Sequence, residues 1–511
     1  MNQLFFETEK IQDPREGKLQ IISNIDTCTK ISEMMESTLG PYGMDKLFTG
    51  ENFLITNDGA TILKKLNIVH PVGKLLVKMS ESQDNEIGDG TTSVVIQAAS
   101  ILNMLKPIIK EDFPLNEIYE MLYELKNVCL KQLDTFKLEY NDKLLINLAE
   151  TAVISKNIRN VKTQFAKMIV DAVRNVKNGD LNLIGINKIS GGSISDSLLV
   201  KGIAFEKCFT YAGYEQQPKK IINPKILCIN VELEWKAERE NAEMKIESVD
   251  EYKKVVDAEW NIIKEKLDKI IESGANVVLS SLPIGDYATQ YFAKHNIFSA
   301  GRVSKDDLIR VSNAFGAIIV SSTNYLENCV GTCALFEERQ IGKERYNYFE
   351  GVNNNACTLI LRGPGNEVLN EVERSVNDAL HVIKTVFKHK DVVIGGGSVE
   401  MRLSKYLKDI CHQYKDRKYF ICKAVSQSFE KIPFVLAKNF GLDTTVTIPV
   451  LRKEFRKENY DCGVGFKGVA NMLESCVFEP LQTKSNIIKT AFDAAATIIM
   501  IDSTIVFGNG Q

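Results

Sequence analysis

The segment Gly88-Asp89-Gly90-Thr91-Thr92-Ser93 constrains this chain more than any other. Two glycines bracket a carboxylate, three hydroxyl residues follow, and an apolar run then carries Val94, Ala98, Ile101, Leu102 and Leu105 at helical spacing. The pattern predicts a buried helix whose first turn is built from small polar residues. A helix N-terminus presents backbone N–H groups and about half a positive charge, which suits a phosphate. Asp89 would suit Mg²⁺, which takes one or two carboxylates together with phosphate oxygens. Taken alone, the same residues also fit a plain N-cap, worth about 1 kcal/mol and needing no ligand.

Two further glycine turns precede it, Thr38-Leu39-Gly40-Pro41-Tyr42-Gly43 and Asn57-Asp58-Gly59-Ala60-Thr61. By themselves these fit a helix stop and an Asn-Asp-Gly turn. Arg374 and Asp378 stand four apart in a helical pattern and would form an exposed pair worth a few tenths of a kcal/mol (about 0.3). Gly395-Gly396-Gly397 follows Val392-Val393-Ile394, as a strand-to-helix turn would. Gly463-Val464-Gly465-Phe466-Lys467-Gly468 matches GxGxxG but follows Asn459-Tyr460-Asp461, so a dinucleotide site fails on context. The phosphate-loop pattern GxxxxGK[ST] is absent.

The chain has 511 residues, too many for one core, so several domains are expected. Isoleucine runs at helical spacing dominate the first third, stopping at Gly40-Pro41. Short apolar runs such as Lys225–Val231 and Asn276–Ser280 alternate with helices in the middle, and helical pattern returns from about Val368. This predicts a helical domain interrupted by an inserted α/β domain. Net charge is -3, which supplies no general attraction to nucleic acid or an anionic membrane. The longest unbroken apolar stretch, Ala494–Ile501, is too short to cross a bilayer, and the first residues lack the pattern of a secretory signal. Eleven cysteines occur singly and five histidines are dispersed, which favours reduced thiols in a cytoplasmic compartment over a zinc site.

In order, Leu39-Gly-Pro-Tyr-Gly-Met-Asp-Lys46, Asn57-Asp-Gly-Ala-Thr-Ile-Leu63, Gly88-Asp-Gly-Thr-Thr-Ser93 and Gly395-Gly-Gly397 resemble the hallmark blocks of the group II chaperonins. The resemblance spans essentially the whole chain. The middle blocks, among them Tyr211–Lys220, Asp257–Ile262 and Leu282–Asp286, are similar to one subunit class of the eukaryotic cytosolic chaperonin. The fold implied is a multidomain α/β chain of group II chaperonin architecture. Its parts would be a mainly helical equatorial domain (1–138 and 395–511), a small α/β intermediate hinge (139–203 and 358–394) and an inserted α/β apical domain (204–357). The apical domain would carry a helical lid protrusion at about 236–260.

The resemblance also implies a function: an ATP-hydrolysing, protein-folding subunit, with seven paralogous subunits as partners in a stacked double ring and unfolded polypeptides as clients. ATP and Mg²⁺ would be the cofactors. Leu39, Gly40, Pro41, Gly59, Gly90, Thr91, Thr92 and Ser93 would contact nucleotide, and Asp89 would hold the metal. Asp58 would position the attacking water and Asp378 would act as general base. Lys156 would sense the γ-phosphate beside Ser155. Gly396, Gly397, Glu479 and Lys484 would face the ribose and base. Tyr287, Tyr291 and Phe292, on one face of an apical helix, would grip clients. Two positions depart from the family pattern: Tyr42 stands where a basic residue is usual, and Gly465 where Asp is common. Two alternatives stand beside this reading. One is a client-binding subunit of the same ring that hydrolyses ATP weakly. The other is a small-molecule enzyme on this scaffold, which would need a second cluster of reactive side chains.

Overall fold

A computed structural model describes residues 11–12, 17–49, 54–138, 142–154, 158–176, 179–207, 211–234, 249–326, 328–351, 356–503 and 505–506. The chain divides into two compact units. One comprises Met1–Val170 and Arg374–Gln511, the other Asp171–Glu373.

The first unit is built around the Thr91–Lys110 helix. Val94, Val95, Ile96, Ala98, Ile101, Leu102 and Leu105 are all fully buried, so its apolar surface runs most of the way round. By length and composition this helix would pass for a membrane span. Here it is the central strut of a helical core. The helices Lys18–Glu36, Pro71–Ile87, Arg417–Ser428 and Leu481–Ile499 pack around it. The first of these ends at Glu36, a turn earlier than Gly40-Pro41 suggested. Thr38 returns both its N–H and its hydroxyl to the Met35 carbonyl, which closes the helix there.

Short sheets trim the unit. Lys46–Phe48 and Leu54–Thr56 form an antiparallel hairpin that delivers the chain to Asp58. Val392–Ile394 pairs with Phe478–Pro480, and the Gly395–Gly397 turn leads from it into the Ser398–Ile410 helix, as the sequence suggested. The GxGxxG segment lies on an antiparallel hairpin, Cys462–Gly465 with Gly468–Asn471, and opens no helix.

The second unit is α/β. Its main sheet runs Phe298–Ala300, Val277–Ser280, Lys225–Ile229, Ile319–Val320 in parallel, with Gly331–Thr332 antiparallel against Lys225–Ile229. All four residues of Val277–Ser280 are buried, the pattern of a strand covered on both faces. Helices Val249–Glu272, Asp286–Lys294 and Lys305–Phe315 belong to the same unit. A four-stranded antiparallel sheet joins Gly202–Glu206, Glu344–Glu350, Leu335–Ile341 and Lys220–Ile222. Much of the segment expected to form a lid protrusion lies outside the described residues. From Val249 it continues as helix.

Candidate active site

The three glycine turns come together in the first unit as one cleft. Thr38, Leu39 and Gly40 form one wall, Asn57, Asp58 and Gly59 a second, and Gly88 to Ser93 a third. Ala152, Asp378 and Val382 complete it. The first turn of the Thr91–Lys110 helix therefore opens onto the cleft. Its cap residue is Gly90, at φ 80°, with no side-chain capping bond. Asp89 is thus not the N-cap that the isolated motif allowed. It is partly exposed and lines the cleft instead. The turn is held from behind by Gln83, fully buried, whose amide donates to the Asp89 carbonyl at 2.8 Å. Asn486 in turn donates to the Gln83 side-chain oxygen at 2.9 Å.

Asp58 does cap a helix. Its carboxylate accepts from the N–H groups of Ala60 (3.3 Å) and Thr61 (3.0 Å) and from the Thr61 hydroxyl (2.6 Å). Thr91 Oγ1 also donates to it at 3.3 Å, tying the second turn to the third. These bonds fix the direction in which the carboxylate points. Gly59 is required by proximity: a Cβ there would lie 2.5 Å from Thr92 Oγ1 and 2.8 Å from Thr92 N. Gly88 (φ 73°) plays the same part opposite His381, whose ring a Cβ would meet at 2.5 Å. Burial, and then Lys384, lower the His381 pKa against the pull of Asp378, which leaves a neutral imidazole packed on the turn at neutral pH.

Asp378 is half-buried on the Asn366–His389 helix and faces the cleft. Arg374 is not the exposed partner that the spacing suggested: it is half-buried, and Nη1 donates to Thr56 Oγ1 at 2.9 Å.

The cleft therefore combines an uncapped helix N-terminus with three carboxylates, Asp58, Asp89 and Asp378. No lysine or arginine among the described residues lines it. A polyphosphate alone would meet repulsion from the carboxylates, which a divalent cation held here would relieve. Among the described residues no group of three His, Cys, Asp or Glu could hold a metal unaided. The donor set fits Mg²⁺ that arrives with a nucleotide.

The remaining predicted residues fall elsewhere. Pro41, Gly396, Gly397, Glu479 and Lys484 do not line this cleft. Gly396 and Gly397 shape the strand-to-helix turn beside Met472 and Pro433. Lys484 is buried, its ammonium bonded to Glu400 (2.7 Å) and Glu479 (2.5 Å) in an ion triad. Burial would depress its pKa, but the two carboxylates outweigh that and raise it. Ser155 and Lys156 lie outside the described residues. Missed by sequence reasoning were Thr38, Asn57 and Gly88, each inside a quoted block, and Ala152 and Val382. Val382 could have been found as the residue one turn beyond Asp378.

In the second unit, Tyr287 is exposed, meets Trp260 edge-on (4.9 Å) and stacks on Tyr291 (6.0 Å). Tyr291 donates its hydroxyl to Asp268 at 2.6 Å, a bond that pushes its pKa up to about 12. Phe292 does not share their face. It is fully buried with Ala288 against Ile229 and Val278. At about 100° per residue it points a quarter-turn away from Tyr291, into the core.

A model of the TCP-1/cpn60 chaperonin family matches residues 31–509, and the chain belongs to that family. Within the family its relatives are of one kind. It is 60% identical to T-complex protein 1 subunit eta of Encephalitozoon cuniculi across the full length of both chains. The human and Saccharomyces cerevisiae proteins of the same name are each 44% identical over 96% of this chain, covering 93% and 92% of their own lengths. The subunit class that the middle blocks resembled is this eta class.

Proposed function

We infer that this chain is an ATP-hydrolysing subunit of a cytoplasmic, hetero-oligomeric double-ring chaperonin that binds unfolded polypeptides and couples hydrolysis to closure of a folding chamber. The observation that carries the reading is the cleft in which the Thr91–Lys110 helix begins opposite Asp58 and Asp378.

In this reading the backbone N–H groups of Thr91, Thr92 and Ser93 and their hydroxyls hold the β- and γ-phosphates, and Leu39 and Gly40 bound them on the other side. Asp89 would hold Mg²⁺, which when bound would supply positive charge against the phosphates. Asp58, kept in place by its capping bonds, orients the attacking water. Asp378 accepts the proton as the water oxygen attacks the γ-phosphorus, and ADP leaves. The Gly396–Gly397 turn and Glu479 serve the ribose side, and Lys156 with Ser155 the γ-phosphate. Asp378 belongs to a hinge segment in the three-domain scheme, so its approach would make turnover depend on closure. Tyr287 and Tyr291, with Trp260, offer clients an aromatic face.

Two measurements test this. Purification of the tagged chain from its own cells, with identification of the members of the intact particle, should yield a double ring containing seven related but different chains. A monomer or homo-oligomer would remove the ring function. In the purified protein, Asp378→Ala should bind ATP and lose turnover, whereas Asp89→Ala should bind ATP weakly. Wild-type hydrolysis by Asp378→Ala would overturn the general-base role.

A further inference from the structure

One hydroxyl joins the Asp58 turn to the helix that carries Asp378. Thr56 is completely buried at the end of the Leu54–Thr56 strand. Its Oγ1 accepts from the Asp58 backbone N–H at 3.2 Å and from Arg374 Nη1 at 2.9 Å. Arg374 precedes Asp378 by four residues on the Asn366–His389 helix, so the two side chains lie on one face a turn apart. Neither Thr56 nor Arg374 lines the cleft.

We propose that Arg374 and Thr56 are positioning residues for ATP hydrolysis, a latch that sets the separation of Asp58 and Asp378 across the cleft. This role rests on the functional reading above. The Asp58 carboxylate is tied to its own helix start and to Thr91, so it cannot follow Asp378 if the other helix shifts. A general base works only within hydrogen-bond reach of the water it deprotonates, and a displacement of about 1 Å can cost about 100-fold in rate. Arg374 is a suitable strut. Its guanidinium stays charged, is planar, and has donors to spare for a neutral hydroxyl. Thr56 supplies the matching acceptor and is itself completely buried, so removing its hydroxyl takes a bond from both donors. Because both bonds end on the same oxygen, the backbone of one aspartate and the helix of the other share a single anchor. Substrate affinity depends on the Gly88–Ser93 turn and Asp89, which the latch does not touch.

The test uses the full-length chain carrying Thr56→Val, Arg374→Leu or both. Three quantities are read: ATP affinity by titration, phosphate release at saturating ATP, and backbone amide exchange over residues 56–61 without nucleotide. Turnover should fall about tenfold or more in each single variant, with the dissociation constant within about twofold of wild type. Amide exchange at Asp58 should quicken, because its N–H loses the anchored acceptor. Thr56→Ser should restore most of the turnover lost in Thr56→Val. The double variant should be no slower than the slower single one, since both remove the same link. Wild-type turnover in the latch variants beside an inactive Asp378→Ala would overturn the latch alone. Affinity falling in proportion to turnover would also overturn it, since that is general damage to the cleft. Wild-type turnover in Asp378→Ala would overturn the latch and the functional reading together.

Discussion

The ring of Tyr42 stacks on that of Phe466, with centroids 5.2 Å apart and 21° between planes. Phe440 closes the group edge-on to Tyr42 at 5.4 Å. Tyr42 and Gly465 are the two positions that the resemblance marked as departures, and the stack joins Tyr42 to the residue that follows Gly465. The neighbouring Asn439 amide donates to the carbonyls of Glu36 and Leu39, at 2.8 and 2.7 Å. The Leu39–Gly40 wall of the cleft is therefore held by aromatic packing and an amide clamp. An aromatic pair of this kind contributes about 1 kcal/mol beyond its buried area. Tyr42→Ala should raise the ATP dissociation constant about fivefold while sparing turnover at saturation, and Tyr42→Phe should behave as wild type. An unchanged titration curve for Tyr42→Ala would show that the stack does not support the wall.

Gly59 separates two helix starts that nearly touch. Gly59→Ala forces a methyl against the hydroxyl and amide of Thr92, at 2.5 and 2.8 Å. The expected cost is about 1–3 kcal/mol, with loss of ATP binding because the Thr92 N–H must move. Isothermal titration beside thermal melting reads both effects. A variant that binds ATP normally would mean the backbone has room that the contact distances deny.

Lys484 is a stability residue in this structure. Lys484→Met would leave Glu400 and Glu479 facing each other, with Glu400 nearly inaccessible. Breaking such a buried pair costs about 3 kcal/mol. The urea midpoint of the unit should drop accordingly. If ATP affinity falls instead with the midpoint unmoved, the residue serves nucleotide after all.

Glu430 supplies the pH dependence. Burial would raise its carboxyl pKa, but Arg452 and Lys408 more than reverse that and hold it below the ordinary glutamate value. A depressed folded-state pKa stabilises the fold above the unfolded pKa, and that stability is lost as pH falls through the folded value. Glu430→Gln should therefore melt below wild type at neutral pH, by about 2 kcal/mol, and the gap should shrink below about pH 4. A gap that is constant with pH would assign the loss to packing.

The apical aromatics separate by readout. Phe292→Ala should destabilise the second unit by about 3–5 kcal/mol, because it empties a core site. Tyr287→Ala should leave melting within about 0.5 kcal/mol and weaken capture of a denatured model client. Equal client capture by Tyr287→Ala and wild type would remove the tyrosine pair from client binding.

How much of this was legible follows from the range of the contacts. Asp58, Asp89 and the Gly88–Ser93 turn were picked out only by the resemblance; read alone they fitted a turn and a cap, because the cleft that gathers them is made by contacts distant in sequence. The central helix was readable from Val94 to Leu105, because its pattern lies within a few residues of sequence. Lys484 was not, since its partners Glu400 and Glu479 approach through tertiary packing and no local pattern marks a lysine as buried. Arg374 was misread as exposed because its spacing to Asp378 carries no sign of burial, and its bond to Thr56 comes from a strand far away in sequence. Phe292 was a matter of phase: adjacent residues on a helix look grouped in one dimension and part company in three.

The packing of the Thr91–Lys110 helix has a consequence for biosynthesis. One of its principal partners, the Leu481–Ile499 helix, is made only after the whole Asp171–Glu373 unit has emerged. During translation this largely apolar helix must wait for that cover while most of the chain is still being added. A nascent chain with that exposed stripe has the same need for shelter as the polypeptides its family serves.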